Sequence, residues 1–213
     1  MFCKILQRIR KHNLSTSNVQ TELNKSYFDG VGEQIDSLYI CSKIIEELNK
    51  SNRNNNPLTT RRLRNLILLI EVGYMQNFNK ALIKQDYEYY AEINGLMISK
   101  TWHYLVLEAK EGVIENIPFN KEQYEANFSL ELTENINQII KEIVEITEYI
   151  DTVDLASLVW CSVPTKWHAP QNREPFCSGK YPIPKSIIYE IYRDFDFNKL
   201  KEKNEQERVN FNI

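Results

Sequence analysis

The densest hydrophobic pattern in the chain lies between residues 62 and 74. Apolar side chains recur there at the three- and four-residue spacing of one helical face, and further leucines and a valine fill the opposite side. A helix that is apolar almost all round belongs inside a bundle rather than on its surface. Thr59 or Thr60 is placed to cap its start, and Pro57 interrupts whatever precedes it. The pattern predicts a central core helix.

Hydrophobic spacing and helix-start signals predict six further helices. They cover residues 35–48, 101–112, 120–128, 133–150, 153–161 and 184–195. Asn120 with Gln123 forms a weak capping box, and Asp151 or Thr152 is placed to cap the helix that follows it. Pro184 suits a first helical position.

The spacing of apolar residues changes from helical to alternating in one stretch of the chain. Residues 86–93 are rich in tyrosine and partly alternating, Asn94-Gly95 is a strong turn signal, and an apolar segment follows. This predicts one small β-hairpin. The expected fold class is therefore mainly α, a helical bundle around a buried central helix with one small β-hairpin.

The same pattern suggests three parts. Residues 1–33 form an N-terminal extension whose short apolar stripe is surrounded by basic residues. Such a stripe is typical of a short helix packed on its own domain, and the alternative is contact with a membrane or an acidic partner. Residues 34–198 form the helical domain. Residues 199–213 form a charged C-terminal tail that we expect to fray.

Composition narrows the class of protein. Only 6 Gly and 7 Pro in 213 residues favour helices over a turn-rich β fold. A formal net charge of −3 gives no general attraction to nucleic acid or anionic membranes. No apolar run approaches the ~20 residues that span a bilayer, and the N-terminus lacks the features of a secretory signal. The four widely spaced cysteines are expected to be reduced thiols, so we expect a cytoplasmic protein.

The long irregular loop at residues 162–182 contains four prolines, His168 and Cys177, and it directly follows Cys161. These three residues form a His/Cys grouping. Loops of this length are often functional. The grouping lacks the close cysteine pair of a structural zinc site, even if His103 served as a fourth ligand. No nucleophile motif surrounds Cys177, and no glycine-rich phosphate loop or H-E-x-x-H motif is present. We therefore expect no enzyme activity, cofactor or metal, with a Cys/His hydrolase or metal protein as the alternative.

Aromatic and basic residues mix in this loop, which suits an anchor for a protein partner because Trp, Tyr and Arg dominate interface hot spots. Three arginines also stand at the start of the core helix, where the helix dipole disfavours cations. They either contact an acidic partner or point into solvent. The second function hypothesis is a phage or mobile-element inhibitor of a nucleic-acid enzyme, or a direct nucleic-acid binder that uses these arginines. The predicted partner-binding residues are Trp102, Trp167, His168, Arg173 and Phe176, followed by Arg61, Arg62 and Arg64.

Four segments in this order resemble the Panacea domain of bacterial and phage antitoxins, over roughly residues 35–195. They are IDSLYICSKIIEEL, LTTRRLRNLILLIEVGY, YYAEINGLMISKTWHYLVLEAKEG, and LASLVWCSVPTKWHAP followed by YPIPKSIIYEIYRDF. The family's usual Gly-Pro-Val after the strand reads Asn-Gly-Leu-Met here, and its Leu-Gln-Lys in the core helix reads Leu-Arg-Asn. The resemblance implies a mainly helical, non-enzymatic fold that binds and neutralises a cognate toxin, or that delivers a partner to a protease. It also implies a bacterial, mobile-element or phage origin.

Overall fold

The computed structural model describes residues 32–50, 56–84, 89–92, 95–98, 112–117, 119–159, 182–183 and 185–211. In these residues the chain is mainly helical, with seven helices and three short strands. The helices are α1 (Ser37–Lys50), α2 (Thr60–Phe78), α3 (Lys121–Glu125), α4 (Leu130–Thr147), α5 (Thr152–Val159), α6 (Lys185–Tyr192) and α7 (Phe197–Phe211). No helix in the described ranges is both long enough and apolar enough to cross a membrane.

Helix α2 contains the segment with the densest hydrophobic pattern. Thirteen of its 19 residues are buried, and it packs against α1, α4, α5 and α6. The hydroxyl of Thr59 accepts a hydrogen bond from the Arg62 amide at 3.1 Å, so Thr59 is the N-cap. At the other end Asn79 adopts the left-handed conformation, with φ of 54°, and its amide donates to the Met75 carbonyl.

Helix α4 buries the face that the periodicity predicts. Its buried residues are Ile136, Ile139, Ile140, Ile143, Val144 and Thr147. The helix begins at Leu130, three residues before the predicted start, because the Ser129 hydroxyl accepts a hydrogen bond from the Leu132 amide at 3.1 Å. It pairs with both α1 and α2, so the apolar faces of these three helices form most of the core.

Two further predicted caps are confirmed, and several other predicted boundaries are shifted. Asn120 caps α3, and the Asp151 carboxylate accepts hydrogen bonds from the first amides of α5 at 2.7 and 2.8 Å. Helix α3 ends at Glu125 instead of continuing to residue 128. Helix α1 begins at Ser37 because Ile35 instead forms a short parallel bridge with Ile83.

The three strands form one antiparallel sheet in the order β2-β1-β3, where β1 is Tyr89–Glu92, β2 is Gly95–Ile98 and β3 is Pro182–Ile183. In the pairing of β1 with β2, Glu92 lies opposite Gly95 and Tyr89 lies opposite Ile98. Residues 93 and 94, which include the predicted turn residue Asn94, lie outside the described residues. The predicted helix at 101–112 also lies outside them except for Gly112.

Most of the charged C-terminal segment is helical. Residues 199–211 belong to α7, a regular helix that packs on α4. Only Leu200 of this helix is buried, and side chains further along it make polar contacts to the end of α4 and to α5. The expected fraying of the segment stays a prediction.

Candidate partner-binding site

The predicted loop at 162–182 ends in the small sheet. Its last residue, Pro182, pairs with Tyr90, and the next residue, Ile183, pairs with Tyr89. Residues almost a hundred positions apart are thereby joined by antiparallel backbone pairing. Strand β1, which belongs to the predicted hairpin, therefore lies beside the end of the long loop in one sheet.

The other end of the loop segment is positioned by α6. Val159, the last residue of α5, is buried, and its carbonyl accepts a hydrogen bond from the buried Tyr192 hydroxyl at 2.9 Å. Because Tyr192 belongs to the helix that follows the loop, this contact joins the element before the loop to the element after it. Val159 and Pro182, the described residues on either side of the loop, are therefore both held in the fold.

Helix α6 is itself fixed to α2. The side-chain amide of Gln76 lies 3.1 Å from the carbonyls of Tyr192, Arg193 and Phe195, which include the unsatisfied end of α6. The Tyr189 hydroxyl donates to the Asn79 side-chain oxygen at 2.7 Å. Tyr192 and Gln76 were missed by the sequence reasoning, because nothing in their local pattern distinguishes them from ordinary core and surface positions.

Five of the predicted partner-binding residues lie outside the described residues. They are Trp102, Trp167, His168, Arg173 and Phe176. The Cys161, His168 and Cys177 grouping also lies outside them. The structure therefore fixes the two ends of the segment that carries most of these residues.

Arg62 is not a surface residue, and its prediction as a partner contact is corrected. Only 2% of it is exposed, and its guanidinium donates to the carbonyls of Ile150 and Thr147 at 2.6 and 2.7 Å. These carbonyls belong to the last turn of α4 and the turn after it, where the helix leaves acceptors without intrahelical partners. Arg62 caps α4, and both of its terminal nitrogens are occupied within the fold.

The electrostatics of this contact are consistent with a capping role. Burial lowers the pKa of Arg62 to about 10, and the negative charge of Asp151 opposes that shift. The guanidinium is therefore cationic at neutral pH, at the negative end of the α4 dipole. The Asn56 side chain donates to the Glu148 carbonyl at 2.9 Å beside it. The only sequence signal for this role was the unfavourable position of a cation in a first helical turn.

Arg61 and Arg64 flank Arg62 and are both half-buried. They do not form an exposed triple-arginine cluster, because the middle member points into the protein. This weakens the case for direct nucleic-acid binding through residues 61–64, since phosphate contacts require accessible cations.

A groove of about 180 Å³ lies beside the Arg62 cap. Its lining residues come from α1, α2, α4 and the residue before Pro57, and they are Glu47, Leu48, Lys50, Asn56, Arg62, Val144, Glu145 and Glu148. Three carboxylates and two cations line it together. No group of His, Cys, Asp and Glu suited to a metal ion occurs among the described residues.

The one cysteine within the described ranges, Cys41, is fully buried and free. Burial raises the pKa of its thiol, with the nearby charge of Asp36 adding to the effect. A buried thiol whose thiolate is disfavoured is a packing residue rather than a nucleophile.

The outer face of α4 carries four exposed glutamates, Glu131, Glu134, Glu142 and Glu145. The formal net charge of the whole chain is −3.

Comparison of the chain with family models, with curated proteins and with solved structures finds no match.

Proposed function

We propose that this chain is a non-enzymatic protein-binding module of the antitoxin type, which neutralises a toxin or another target protein by direct binding. The observation that carries the proposal is the pairing of β3 with β1. It brings the end of the aromatic and basic loop against a sheet strand, so one contiguous surface can present both. Loops positioned by a rigid scaffold are a common location for binding residues.

The contact residues of this surface are the aromatic and basic side chains of the loop, Trp167, His168, Arg173 and Phe176, together with Trp102. Aromatic anchors fill pockets on a partner, and arginine donates bidentate hydrogen bonds to its carboxylates. Arg61 and Arg64 contribute secondary contacts. Arg62 has no part in recognition because it caps α4.

The partner is a toxin or another target protein that offers pockets to the aromatic side chains and carboxylates to the arginines. The alternative is an inhibitor of a nucleic-acid enzyme, which would bind that enzyme as a protein partner. Direct nucleic-acid binding is the weaker alternative, since the arginine cluster on which it depends has its middle member buried.

The architecture within this proposal is a helical bundle arranged around α2, with β1 and β2 as a small hairpin on one side. The module acts in the cytoplasm without a cofactor or a metal ion, and its function requires no membrane contact.

The first test is a pull-down of the tagged chain from its native host, followed by titration of the purified partner. One stoichiometric protein, which binds the purified chain directly, is the expected result. Recovery of nucleic acid alone, with binding that weakens steeply as salt rises, would contradict the proposal and restore the alternative.

The second test locates the surface. Trp167→Ala should weaken binding by about 30-fold or more, as expected for a hot-spot aromatic residue, and leave the melting temperature nearly unchanged. Val153→Ala is the matched control, because Val153 is 60% exposed on α5 and is not one of the proposed contact residues. If Trp167→Ala instead lowers the melting temperature by many degrees, Trp167 is a core residue and the surface is misassigned.

A further inference from the structure

The outer half of α7 contacts the body of the protein by a different chemistry from the inner half. At the inner end Phe195 and Phe197 pack against each other with ring centroids 5.0 Å apart, and Leu200 is 1% exposed. Beyond Leu200 no residue of the helix is buried, and Val209 and Phe211 are 62% and 55% exposed. Near Leu200, therefore, the attachment of the helix changes from buried apolar packing to contacts at the surface.

Three residues of this outer half contact the end of α4, the turn after it and α5. The Lys203 ammonium lies 2.9 Å from the Asp154 carboxylate. The Asn204 side chain accepts a hydrogen bond from the Tyr149 amide at 2.7 Å and donates to the Glu145 carbonyl at 3.1 Å. The Phe211 ring lies 5.9 Å from the Tyr149 ring.

Each of these contacts is weak when taken alone. Partly exposed ion pairs and hydrogen bonds contribute little apiece, since water competes for the same groups. The inner turn, by contrast, is attached through buried apolar side chains and through the Gln76 contacts that fix the end of α6. Low burial beside a well-packed segment is the property of a unit that opens locally while the rest of the fold stays closed.

The geometry points to a conformational device: residues 203–211, here called the strap, open as one unit about a hinge after Leu200 and uncover the C-terminal turn of α4. In the closed state the strap covers the Tyr149 amide and the Glu145 carbonyl. Opening makes both backbone groups and the Tyr149 ring available.

Native-state amide exchange of the full chain tests this inference. Amides of residues 203–211 should exchange at least about 100-fold faster than those of the central turns of α2, with one shared opening free energy that low urea concentrations leave unchanged. Fraying gives a different result, a gradient of protection that falls from Leu200 to Phe211. A gradient of that kind, or protection of the strap equal to that of α2, would overturn the inference.

Two substitutions identify the contacts that close the strap. Asn204→Ala removes two hydrogen bonds and should speed exchange throughout the strap by about 10-fold. Lys203→Met should speed it by about two- to five-fold, as expected for a partly exposed ion pair. Lys201→Met is the matched control, because Lys201 is an exposed lysine of the same helix, and it should leave the strap unchanged. Equal acceleration in α2 and the strap would show that the contacts stabilise the whole fold, and the strap would not be a separate unit.

Discussion

Helices α2 and α7 are regular helices of 19 and 15 residues, yet they are stabilised in opposite ways. Thirteen residues of α2 are buried, whereas Leu200 is the one buried residue of α7. Apolar burial contributes roughly 25 cal/mol per Å² of surface removed from water. Burial of side chains from α2 therefore stabilises the fold much more than burial of side chains from α7. The comparison teaches that a helix assignment says little about how strongly a segment is attached.

Side chains that cap helix ends supply hydrogen bonds to backbone carbonyls, which apolar burial cannot supply. Arg62 and Asn56 donate to carbonyls at the end of α4, Gln76 does so at the end of α6, and Asn204 reaches one turn earlier in α4. In each case the donor belongs to a different element from the acceptor. The caps therefore fix the relative positions of helices, both at the well-packed α2 and at the weakly packed α7.

The largest change in stability is expected from a substitution in the core of α2. Leu69 is fully buried, so Leu69→Ala should lower the free energy of unfolding by about 2–5 kcal/mol through lost burial and a cavity. Val209→Ala, on the exposed side of α7, should change it by less than about 0.5 kcal/mol. Urea denaturation of the two variants gives both values. Equal losses would mean that α7 is as well packed as α2.

Removal of the Arg62 cap is expected to have the next largest effect. Arg62→Met leaves the Thr147 and Ile150 carbonyls without their charged donor, which should cost about 2–3 kcal/mol of unfolding free energy. Arg62→Lys keeps the charge but cannot reproduce the fork of two donors, so an intermediate loss is expected.

Arg61→Met serves as the control, because Arg61 is half-buried at the adjacent position and should cost less than about 1 kcal/mol. The measurement is again urea denaturation at neutral pH. A loss for Arg61→Met that matches that for Arg62→Met would contradict the capping role.

A smaller effect is expected at α3, which has no buried residue and lies beside α1 through charged contacts. The hydrogen bond from Lys121, 2.6 Å from the Glu46 carboxylate, lowers the pKa of Glu46 from 4.5 to about 2, with Lys50 and Lys43 adding to the shift. A carboxyl whose pKa is lowered by folding stabilises the protein above its unfolded pKa. That contribution should be present above about pH 5 and disappear as the pH falls towards 2.

The measurement is the unfolding free energy of the natural chain and of Lys121→Met at neutral pH and near pH 3. The variant should lose less stability on acidification, by roughly 1 kcal/mol once solvent screening of these partly exposed groups is allowed for. An identical acid response in both proteins would show that the contact does not stabilise the fold.

Much of the helical structure could be predicted from local pattern. The buried face of α4, the caps at Thr59, Asn120 and Asp151, and the apolar length of α2 all follow from residue types at fixed spacing. Boundaries were less predictable: Ser129 and Thr133 are both plausible caps for α4, and the choice between them depends on backbone geometry. The candidate site was predictable only as a loop of functional composition, because its residues carry no motif with a fixed geometry.

The sequence by itself determined which segments become helices and which side of each helix is apolar, since both depend on contacts within a few residues. Tertiary structure alone decided the role of Arg62, the pairing of β3 with β1, and the contacts of α7 with α4 and α5. Arg62 meets its acceptors 85 and 88 positions away, and Asn204 meets Glu145 59 positions away. No local pattern encodes such encounters, because they exist only after the apolar faces of α1, α2 and α4 have packed and brought the helix ends together.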